Sequence, residues 1–193
     1  MTRLPSPTRR EVLMSSLLLP LAAASGVSSA VPSDVRALVA WFSRSGNTSV
    51  IAGQIARSRE ADRFEIVPAS AYPDDYFETV EQARQERDRG FEPPLAATVG
   101  QIGSYETLYL GFPIWGGTAP PPIRSFLAEH DLAGKTIVPF ITHGGFGTGD
   151  SLSVVADHAP EARLIDGFVL ERPQERQTIE RVTEWLDGLE VGR

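Results

Sequence analysis

The chain has 193 residues, of which 41% are hydrophobic, and this length and composition suit one packed domain. It is acidic, with a formal net charge of −7, and it contains no cysteine, which excludes disulfides, thiol redox chemistry and cysteine-ligated iron–sulfur clusters. The three histidines (His130, His143 and His158) lack the spacing of metal ligands, so any redox chemistry requires a bound cofactor.

The first 30 residues predict a signal peptide that is not part of the fold. Three arginines within residues 1–11 precede an apolar stretch at 12–27, and the small residues Ser28-Ser29-Ala30 follow it. This order is typical of a secretory signal, and we expect cleavage after Ala30. A retained transmembrane anchor is the alternative, but the apolar stretch is short and contains serines and a proline.

The arginine pair indicates the export route. The segment Thr8-Arg9-Arg10-Glu11-Val12-Leu13 resembles a twin-arginine signal, in which Ser or Thr, two arginines and any residue precede two apolar residues. That route carries folded proteins, and many of them already hold a cofactor. We therefore expect residues 31–193 to be a folded domain that is exported to the periplasm or another extracytoplasmic compartment.

The mature segment is more acidic than the whole chain. Removal of residues 1–30 takes away three arginines and one glutamate, which leaves 15 basic and 24 acidic residues and a net charge of −9. Such a surface repels nucleic acid and anionic lipid and favours basic protein partners. We expect no nucleic-acid binding and no stable membrane insertion after cleavage.

Five apolar segments alternate with five helical patterns along the mature chain. The predicted strands are residues 35–42, 63–67, 107–112, 135–142 and 164–170. The predicted helices are residues 48–57, 74–89, 120–129, 150–158 and 174–189. The first, third and fourth strands are almost continuously apolar, which indicates central strands, and the other two suit the edges of a sheet.

Several positions within these elements have expected roles. Asn47 is expected to cap the first helix, and the charged run 84–89 is expected to face solvent. The prolines at 120–122 fit only the first turn of a helix. The last helix is expected to bury one apolar stripe, made of Ile179, Val182, Trp185, Leu186 and Leu189.

The alternation of strands and helices predicts a parallel sheet with helices on both faces, a three-layer α/β sandwich. Five strand–helix units are too few for an eight-stranded barrel, so we expect an open sheet in a single domain. In such sheets ligands bind at the carboxyl ends of the strands, where the strand order reverses. The segments after the first, third and fourth strands are therefore the candidate site.

The segment after the first strand is short, polar and contains one glycine: Ser43-Arg44-Ser45-Gly46-Asn47-Thr48. Gly46 permits a tight turn, so backbone N–H groups and hydroxyls can converge on an anion at the start of the helix. The segment lacks the lysine of a nucleotide-hydrolysing P-loop, and its glycine spacing does not fit the dinucleotide fingerprint. We predict a phosphate site, and the alternative is a polar turn that only caps the helix.

This segment is similar to the phosphate loop of flavodoxins, and four further segments extend the resemblance. They are Tyr72-Pro73-Asp74-Asp75-Tyr76, Gly111-Phe112-Pro113-Ile114-Trp115-Gly116-Gly117, Phe126-Leu127 and Gly134-Lys135-Thr136-Ile137-Val138-Pro139-Phe140. The resemblance covers residues 35–170. It implies a flavodoxin-like fold of the short-chain type, with five parallel strands in the order 2-1-3-4-5 and FMN as the cofactor.

The resemblance also implies which residues hold the flavin ring. Trp115 is expected to stack on the isoalloxazine, with Pro113 and Ile114 beside it, and a peptide at Gly116 or Gly117 is expected to reorient toward the flavin N5. The loop after the fourth strand is expected to contact the pyrimidine edge through its backbone. Its predicted contact residues are Thr142, His143, Gly144, Gly145, Phe146 and Gly147.

Some assignments around the ring stay open at this point. Many flavodoxins place a tyrosine from the loop after the fourth strand on the outer flavin face, and this loop has none. Either Phe146 or His143 substitutes for it, or that face is open to a substrate. His143 suits an acid–base role, although a histidine that only hydrogen-bonds its own loop is the favoured interpretation. Residues 72–76 are expected to be structural, and contact with the cofactor is the alternative.

The resemblance leaves three functions to compare. A one-electron carrier working with redox partner proteins is favoured by the acidic surface and by the lack of a recognisable nicotinamide-binding domain. An FMN-dependent NAD(P)H:quinone-type oxidoreductase is the alternative, supported by the open flavin face and by Arg44, which could meet a second phosphate. A binding module that has lost FMN fits poorly with the intact first loop and Trp115.

Overall fold

The structure, a computed structural model, describes residues 36–171 and 175–189. The predicted signal peptide and its arginine pair lie outside the described residues. The described part of the chain forms six strands, five α-helices and a short 3-10 helix at Ile102–Ser104. In chain order the strands and α-helices are β1 (Ala37–Trp41), α1 (Asn47–Arg59), β2 (Asp62–Glu65), α2 (Tyr76–Asp88), β3 (Thr107–Pro113), α3 (Pro121–Glu129), β4 (Thr136–His143), α4 (Ser151–His158), β5 (Arg163–Leu164), β6 (Phe168–Glu171) and α5 (Glu175–Gly188).

The strands form one parallel sheet in the order β2-β1-β3-β4-β5, with β6 also paired to β4. This is the predicted order 2-1-3-4-5, and the edge positions of β2 and β5 are confirmed. Each predicted helix is also present, with ends within two residues of those expected. The reversal of strand order lies between β1 and β3, because β1 is followed along the chain by β2 on one side and β3 on the other.

The fifth predicted strand is divided into β5 and β6, so the sheet has six strands where five were predicted. Leu164 pairs with Ile137 and Phe168 pairs with Phe140, so three residues of this edge oppose two residues of β4. One extra residue between two stretches of pairing is a β-bulge. Pro139 lies at this place in β4 and has no N–H to donate, and Gly167 packs so tightly that a Cβ would lie 2.0 Å from the Pro139 oxygen.

Helices cover both faces of the sheet, which confirms the three-layer arrangement. Alternate residues of β3 and β4 enter two separate cores because side chains alternate across a strand. On one face Leu110 and Ile141 pack with Phe126 of α3, and the second core contains Tyr109 and Ile51 of α1. Among the described residues, no helix is long and apolar enough to cross a membrane.

Three expectations about individual helix positions need comment. Asn47 is the first residue of α1, and Gly46 is the cap, so the predicted side-chain cap is wrong. The prolines behave as expected, since Pro121 and Pro122 occupy the first turn of α3. The apolar stripe of α5 is wrong at one position, because Ile179 is 38% exposed although Val182 and Leu186 are buried.

Candidate functional site

Three segments meet at the carboxyl edge of the sheet, because β1, β3 and β4 run parallel and are neighbours. We call them the first loop (residues 43–48), the Trp115 turn (residues 113–117) and the glycine loop (residues 142–149). The Ile114 N–H donates to the Thr142 oxygen at 2.8 Å, and the Asp150 N–H donates to the Gly117 oxygen at 3.1 Å. Thr48 and Thr142 share a buried 3.1 Å hydroxyl contact. The glycine loop is therefore joined both to the first loop and to the Trp115 turn, and the three segments form one rim.

The first loop presents the amino end of a 13-residue helix to solvent. Gly46 has a φ of +84°, which favours glycine, and its N–H donates to the Ser43 hydroxyl at 3.1 Å. Within the fully described α1, the first turn has no acidic residue and no side chain caps it. Free N–H groups at a helix start attract an anion, so the loop fits a phosphate group. The sequence suggested that the Thr48 hydroxyl contacts the phosphate. In the structure Thr48 is buried, and its hydroxyl contacts the Thr142 hydroxyl.

The Trp115 turn is a tight two-residue reversal. The Trp115 N–H donates to the Thr118 oxygen at 3.1 Å, and the Thr118 N–H donates back to the Trp115 oxygen at 3.3 Å. Between them Gly116 and Gly117 have φ values of +58° and +81°, which only glycine adopts readily. The geometry explains the Gly-Gly pair and leaves the peptide between the two glycines at the tip of the turn.

Trp115 itself is half-buried between two aromatic rings. Its ring centroid lies 5.1 Å from Phe42 and 5.0 Å from Tyr72, with both pairs close to perpendicular. Such edge-to-face pairs stabilise aromatic clusters. The ring is therefore held in place by the fold while part of it remains accessible at the rim.

The glycine loop is organised around His143. The His143 Nδ1 accepts N–H groups from Gly145 at 3.1 Å and from Gly147 at 3.3 Å. An accepting Nδ1 places the ring proton on Nε2, and both bonds belong to the loop itself. This geometry supports the interpretation of His143 as a loop-forming residue. Phe146 at the tip is 96% exposed.

Gly149 closes the contact between the glycine loop and the Trp115 turn. It has a φ of +55°, and a Cβ there would lie 1.7 Å from the Gly117 oxygen. Only glycine permits the two segments to approach this closely. Gly149 was not among the predicted contact residues, although the sequence places it in a loop with four glycines among eight residues.

A cavity of about 510 Å³ opens between the Trp115 turn, the first loop and α2. Its lining residues are Arg44, Ser45, Tyr76, Thr79, Val80, Ala83, Arg84, Arg87, Pro113, Ile114, Trp115 and Gly116. Six of these were predicted site residues. None of the described glycine-loop residues lines the cavity, and Asn47 and Gly117 lie exposed outside its lining.

The contribution of α2 to the wall of the cavity is what the sequence missed. The run 84–89 was expected to be solvated, and Arg84, Gln85, Asp88 and Arg89 are indeed exposed, but Arg84 and Arg87 also line the cavity. Tyr76, from the segment 72–76 that was expected to be structural, lines it too. The Arg87 Nη1 lies 3.4 Å from the Gly116 oxygen. The available signal was spacing, since the lining residues of α2 recur every three or four positions and so share one face.

A partly buried hydrogen bond connects α2 to the aromatic cluster. The Tyr72 hydroxyl donates to a Glu86 carboxylate oxygen at 2.5 Å, and the Gln82 amide donates to the other oxygen at 2.8 Å. Burial, followed by the Glu86 carboxylate, raises the pKa of Tyr72. Tyr72 therefore stays neutral and donates its proton while its ring supports Trp115.

The fold and the rim define a doubly wound α/β protein whose ligand site lies at the carboxyl ends of β1, β3 and β4. The flavodoxin family model matches residues 36–189, and the chain belongs to the flavodoxin family. No curated protein matched the chain.

Solved structures agree with this assignment. A Bacteroides eggerthii protein assigned as a flavoprotein is 31% identical, with a TM-score of 0.70 over 81% of this chain and 98% of that chain. A similar protein from Bacteroides uniformis is 29% identical, with a TM-score of 0.70 over 79% of this chain and 97% of that one. A flavoprotein of Lactobacillus acidophilus in complex with FMN shares the fold at 18% identity, with a TM-score of 0.63 over 77% of this chain and 98% of that chain.

Proposed function

We propose that this chain is an FMN-binding electron-transfer protein that works outside the cytoplasm with redox partner proteins. The first loop would hold the phosphate at the amino end of α1, and Trp115 would stack on the flavin ring. The turn glycines and the backbone of the glycine loop would contact the polar edge of the ring. When bound, FMN supplies reversible acceptance of one or two electrons.

The observation that carries the proposal is the joining of the three loops at one edge of the sheet. The Thr48–Thr142 contact and the Asp150–Gly117 hydrogen bond hold the first loop, the glycine loop and the Trp115 turn together. The uncapped start of α1 fits a phosphate, and the half-buried Trp115 fits a stacking partner. Membership of the flavodoxin family and the FMN-bound neighbour from Lactobacillus acidophilus support the same cofactor.

Export in the folded state is the part of the proposal that rests on residues 1–30. The segment Thr8-Arg9-Arg10-Glu11-Val12-Leu13 provides a twin-arginine motif, and the apolar stretch after it is of the weak kind found in signal peptides. FMN held by noncovalent contacts would be lost if the chain crossed the membrane unfolded. A route for folded proteins is therefore the one that suits this cofactor.

A second candidate function is an FMN-dependent NAD(P)H:quinone-type oxidoreductase. The cavity beside Trp115 favours it, because a simple electron carrier does not need a recess of about 510 Å³ next to the cofactor site. Phe146 is almost fully exposed and does not pack over the rim, so the outer face of the flavin would be open to a substrate.

FMN binding is tested on the mature chain from Val31, expressed in the cytoplasm and purified. We expect a yellow protein with one FMN per chain, and we expect the stripped protein to recover its absorbance on addition of FMN. A colourless product that FMN cannot reconstitute contradicts the proposed function.

The two candidate functions are separated by reduction of the FMN-loaded protein. Two well-separated one-electron midpoint potentials in an electrochemical titration support the carrier. Rapid bleaching of the flavin absorbance by NADH or NADPH under anaerobic conditions, with turnover when a quinone is added, supports the oxidoreductase.

The export route is tested with the full chain in which Arg9 and Arg10 are both replaced by lysine. We expect yellow protein in the periplasmic fraction for the natural chain and retention of the variant in the cytoplasm. Equal export of the two chains, or export that persists in cells lacking the twin-arginine translocase, contradicts this part of the proposal.

A further inference from the structure

We propose that the cavity between α2 and the Trp115 turn binds a small planar anion, an aromatic ring system carrying a carboxylate, sulfonate or phosphate, beside the FMN. The inference rests on the proposed function, since it names the class of molecule that would meet the cofactor. It is carried by the charge, the shape and the composition of the cavity walls.

The cavity has the opposite charge to the rest of the mature chain. Three of the lining residues are arginines (Arg44, Arg84 and Arg87), and no carboxylate side chain lines the cavity among the described residues. The mature chain as a whole carries a net charge of −9, from 15 basic and 24 acidic residues. A recess lined by one sign of charge concentrates ligands of the other sign. Anions are therefore drawn to this recess on a surface that otherwise repels them.

The hydrogen-bond partners of the arginines show which guanidinium groups are already neutralised by carboxylates. Arg84 pairs with Glu81 and Asp88, both at 2.8 Å, so its charge is offset within α2. Arg44 donates at 2.6 Å to the backbone oxygen of Asp74, which is a neutral acceptor.

Arg87 is bound more loosely than Arg84. Its contacts with the Gly116 oxygen and with the Asp88 carboxylate are both 3.4 Å long. A guanidinium has five N–H donors in a planar fork that suits an oxyanion, and these contacts leave most of them for a ligand. Arg87 is therefore the residue that we expect to bind the anion, because Arg44 belongs to the first loop, which is expected to hold the FMN phosphate.

The rest of the lining suits an apolar ring. Ala83, Ile114 and Pro113 offer methyl, methylene and ring carbons, and Tyr76 and Trp115 offer aromatic faces. Tyr76 is 62% exposed and Val80 is 46% exposed, so both would lose contact with water when a ring covers them. A volume of about 510 Å³ lies within the usual range of small-molecule pockets, about 300–1,000 Å³.

The cavity shares six lining residues with the predicted flavin contacts, and its opposite wall is formed by α2. FMN is expected to use the first loop, the Trp115 turn and the glycine loop, and α2 contributes to none of these. The described glycine-loop residues do not line the cavity, whereas six residues of α2 do. A ligand held by Arg87 would therefore contact the Trp115 turn, as the cofactor does, and would also contact α2, which the cofactor is not expected to touch.

The test uses the FMN-loaded mature protein and two probes that differ in charge, naphthalene-2-sulfonate and the neutral 2-naphthalenemethanol. Binding is followed by calorimetric titration, and the FMN dissociation constant of each variant is measured separately. The variant is Arg87→Gln. Arg89→Gln is its matched control, because Arg89 caps the same helix and lies outside the cavity lining.

We expect the sulfonate to bind at least about tenfold more tightly than the alcohol, as for one charge-assisted hydrogen bond. Arg87→Gln should remove that preference and leave the affinity for FMN within about twofold, while Arg89→Gln should change neither. Equal binding of the two probes overturns the inference, and so does an unchanged preference in Arg87→Gln. Loss of FMN affinity in Arg87→Gln also overturns it, because the cavity would then belong to the cofactor.

Failure of the proposed function has a different signature. A protein that takes up no FMN is detected before any probe is added, and it contradicts the proposed function alone. The same probe titration on that FMN-free protein still reports whether Arg87 selects the anionic probe.

Discussion

The hydroxyl groups of Thr48 and Thr142 lie 3.1 Å apart in the buried interior, where they join the first turn of α1 to the carboxyl end of β4. Thr48 is 1% exposed and Thr142 is 4% exposed. The contact brings together residues 94 positions apart in the chain, directly beneath the first loop and the glycine loop. A buried hydroxyl is costly when it is left without a partner, so each threonine depends on the other.

Replacement of Thr142 by valine should therefore lower the free energy of unfolding by about 1–3 kcal/mol, because the Thr48 hydroxyl would remain buried and unpaired. Urea denaturation of the FMN-free protein measures this loss. Thr142→Ser keeps a hydroxyl and is the matched control, with a smaller expected loss. Equal stability of the valine and serine variants would show that the hydroxyl contact does not hold the two loops together.

Gly149 provides a test of the contact between the glycine loop and the Trp115 turn. Alanine at this position would place a methyl group 1.7 Å from the Gly117 oxygen at a φ of +55°. We expect Gly149→Ala to cost at least about 2 kcal/mol of stability, since both steric overlap and left-handed backbone disfavour it.

Gly144→Ala is the comparison within the same loop, because a Cβ there would have no neighbour within 4 Å. Thermal denaturation of the two FMN-free variants measures the difference between them. If Gly149→Ala is as stable as Gly144→Ala, the two loops can separate without cost and the close approach is not required.

The strands and helices were predictable because their signals are local, whereas the strand order 2-1-3-4-5 came from the resemblance to flavodoxins. Continuous apolar runs identified β1, β3 and β4 as central strands, and helices with one apolar face followed each strand. The division of the last strand was not predictable from such patterns. It involves the close approach of Gly167 to the Pro139 oxygen of β4, and that contact exists only once the sheet has formed.

The residues of the site that lie in contiguous motifs were predicted. Those that reach the site only through the packing of a distant helix were missed. Gly46 and the Gly116–Gly117 pair were recognised because positions with a positive φ favour glycine, and glycine is visible in the sequence. The contribution of Arg84 and Arg87 to the cavity wall was missed, since the position of α2 relative to the Trp115 turn has no local signature. The hydrogen bond between Tyr72 and Glu86 helps to set that position, and its partners are not linked by any motif.

Trp115 gives the most direct test of the flavin site. Trp115→Ala should weaken FMN binding by about 1–3 kcal/mol, because it removes an aromatic face and apolar area from the ring site. Fluorescence titration of the FMN-free protein with FMN measures the affinity, and circular dichroism shows whether the variant is folded. Trp115→Phe keeps an aromatic ring and should lose less. Unchanged affinity in a folded Trp115→Ala protein would mean that the ring only packs against Phe42 and Tyr72.

The hydrogen bond between Tyr72 and Glu86 predicts a dependence of stability on alkaline pH. Burial and the neighbouring carboxylate both disfavour the phenolate, so the folded-state pKa of Tyr72 lies above the ordinary value of 10.0. The stabilisation is complete below pH 10, where Tyr72 is protonated in both states. As the pH rises above about 10, the unfolded chain loses this proton while the folded chain keeps it, and the free energy of unfolding falls.

Tyr72→Phe removes this proton from both states and should make the alkaline fall in stability less steep, by up to about 1.4 kcal/mol per pH unit. Urea denaturation of the natural and variant proteins at several pH values between about 9 and 11.5 measures the two slopes. Tyr76→Phe is the control, since Tyr76 lies four residues further along the chain and is 62% exposed. Parallel slopes for the natural protein and Tyr72→Phe would show that the phenol ionises as easily in the folded chain as in the unfolded one. The link from Glu86 through Tyr72 to Trp115 would then not act as the structure indicates.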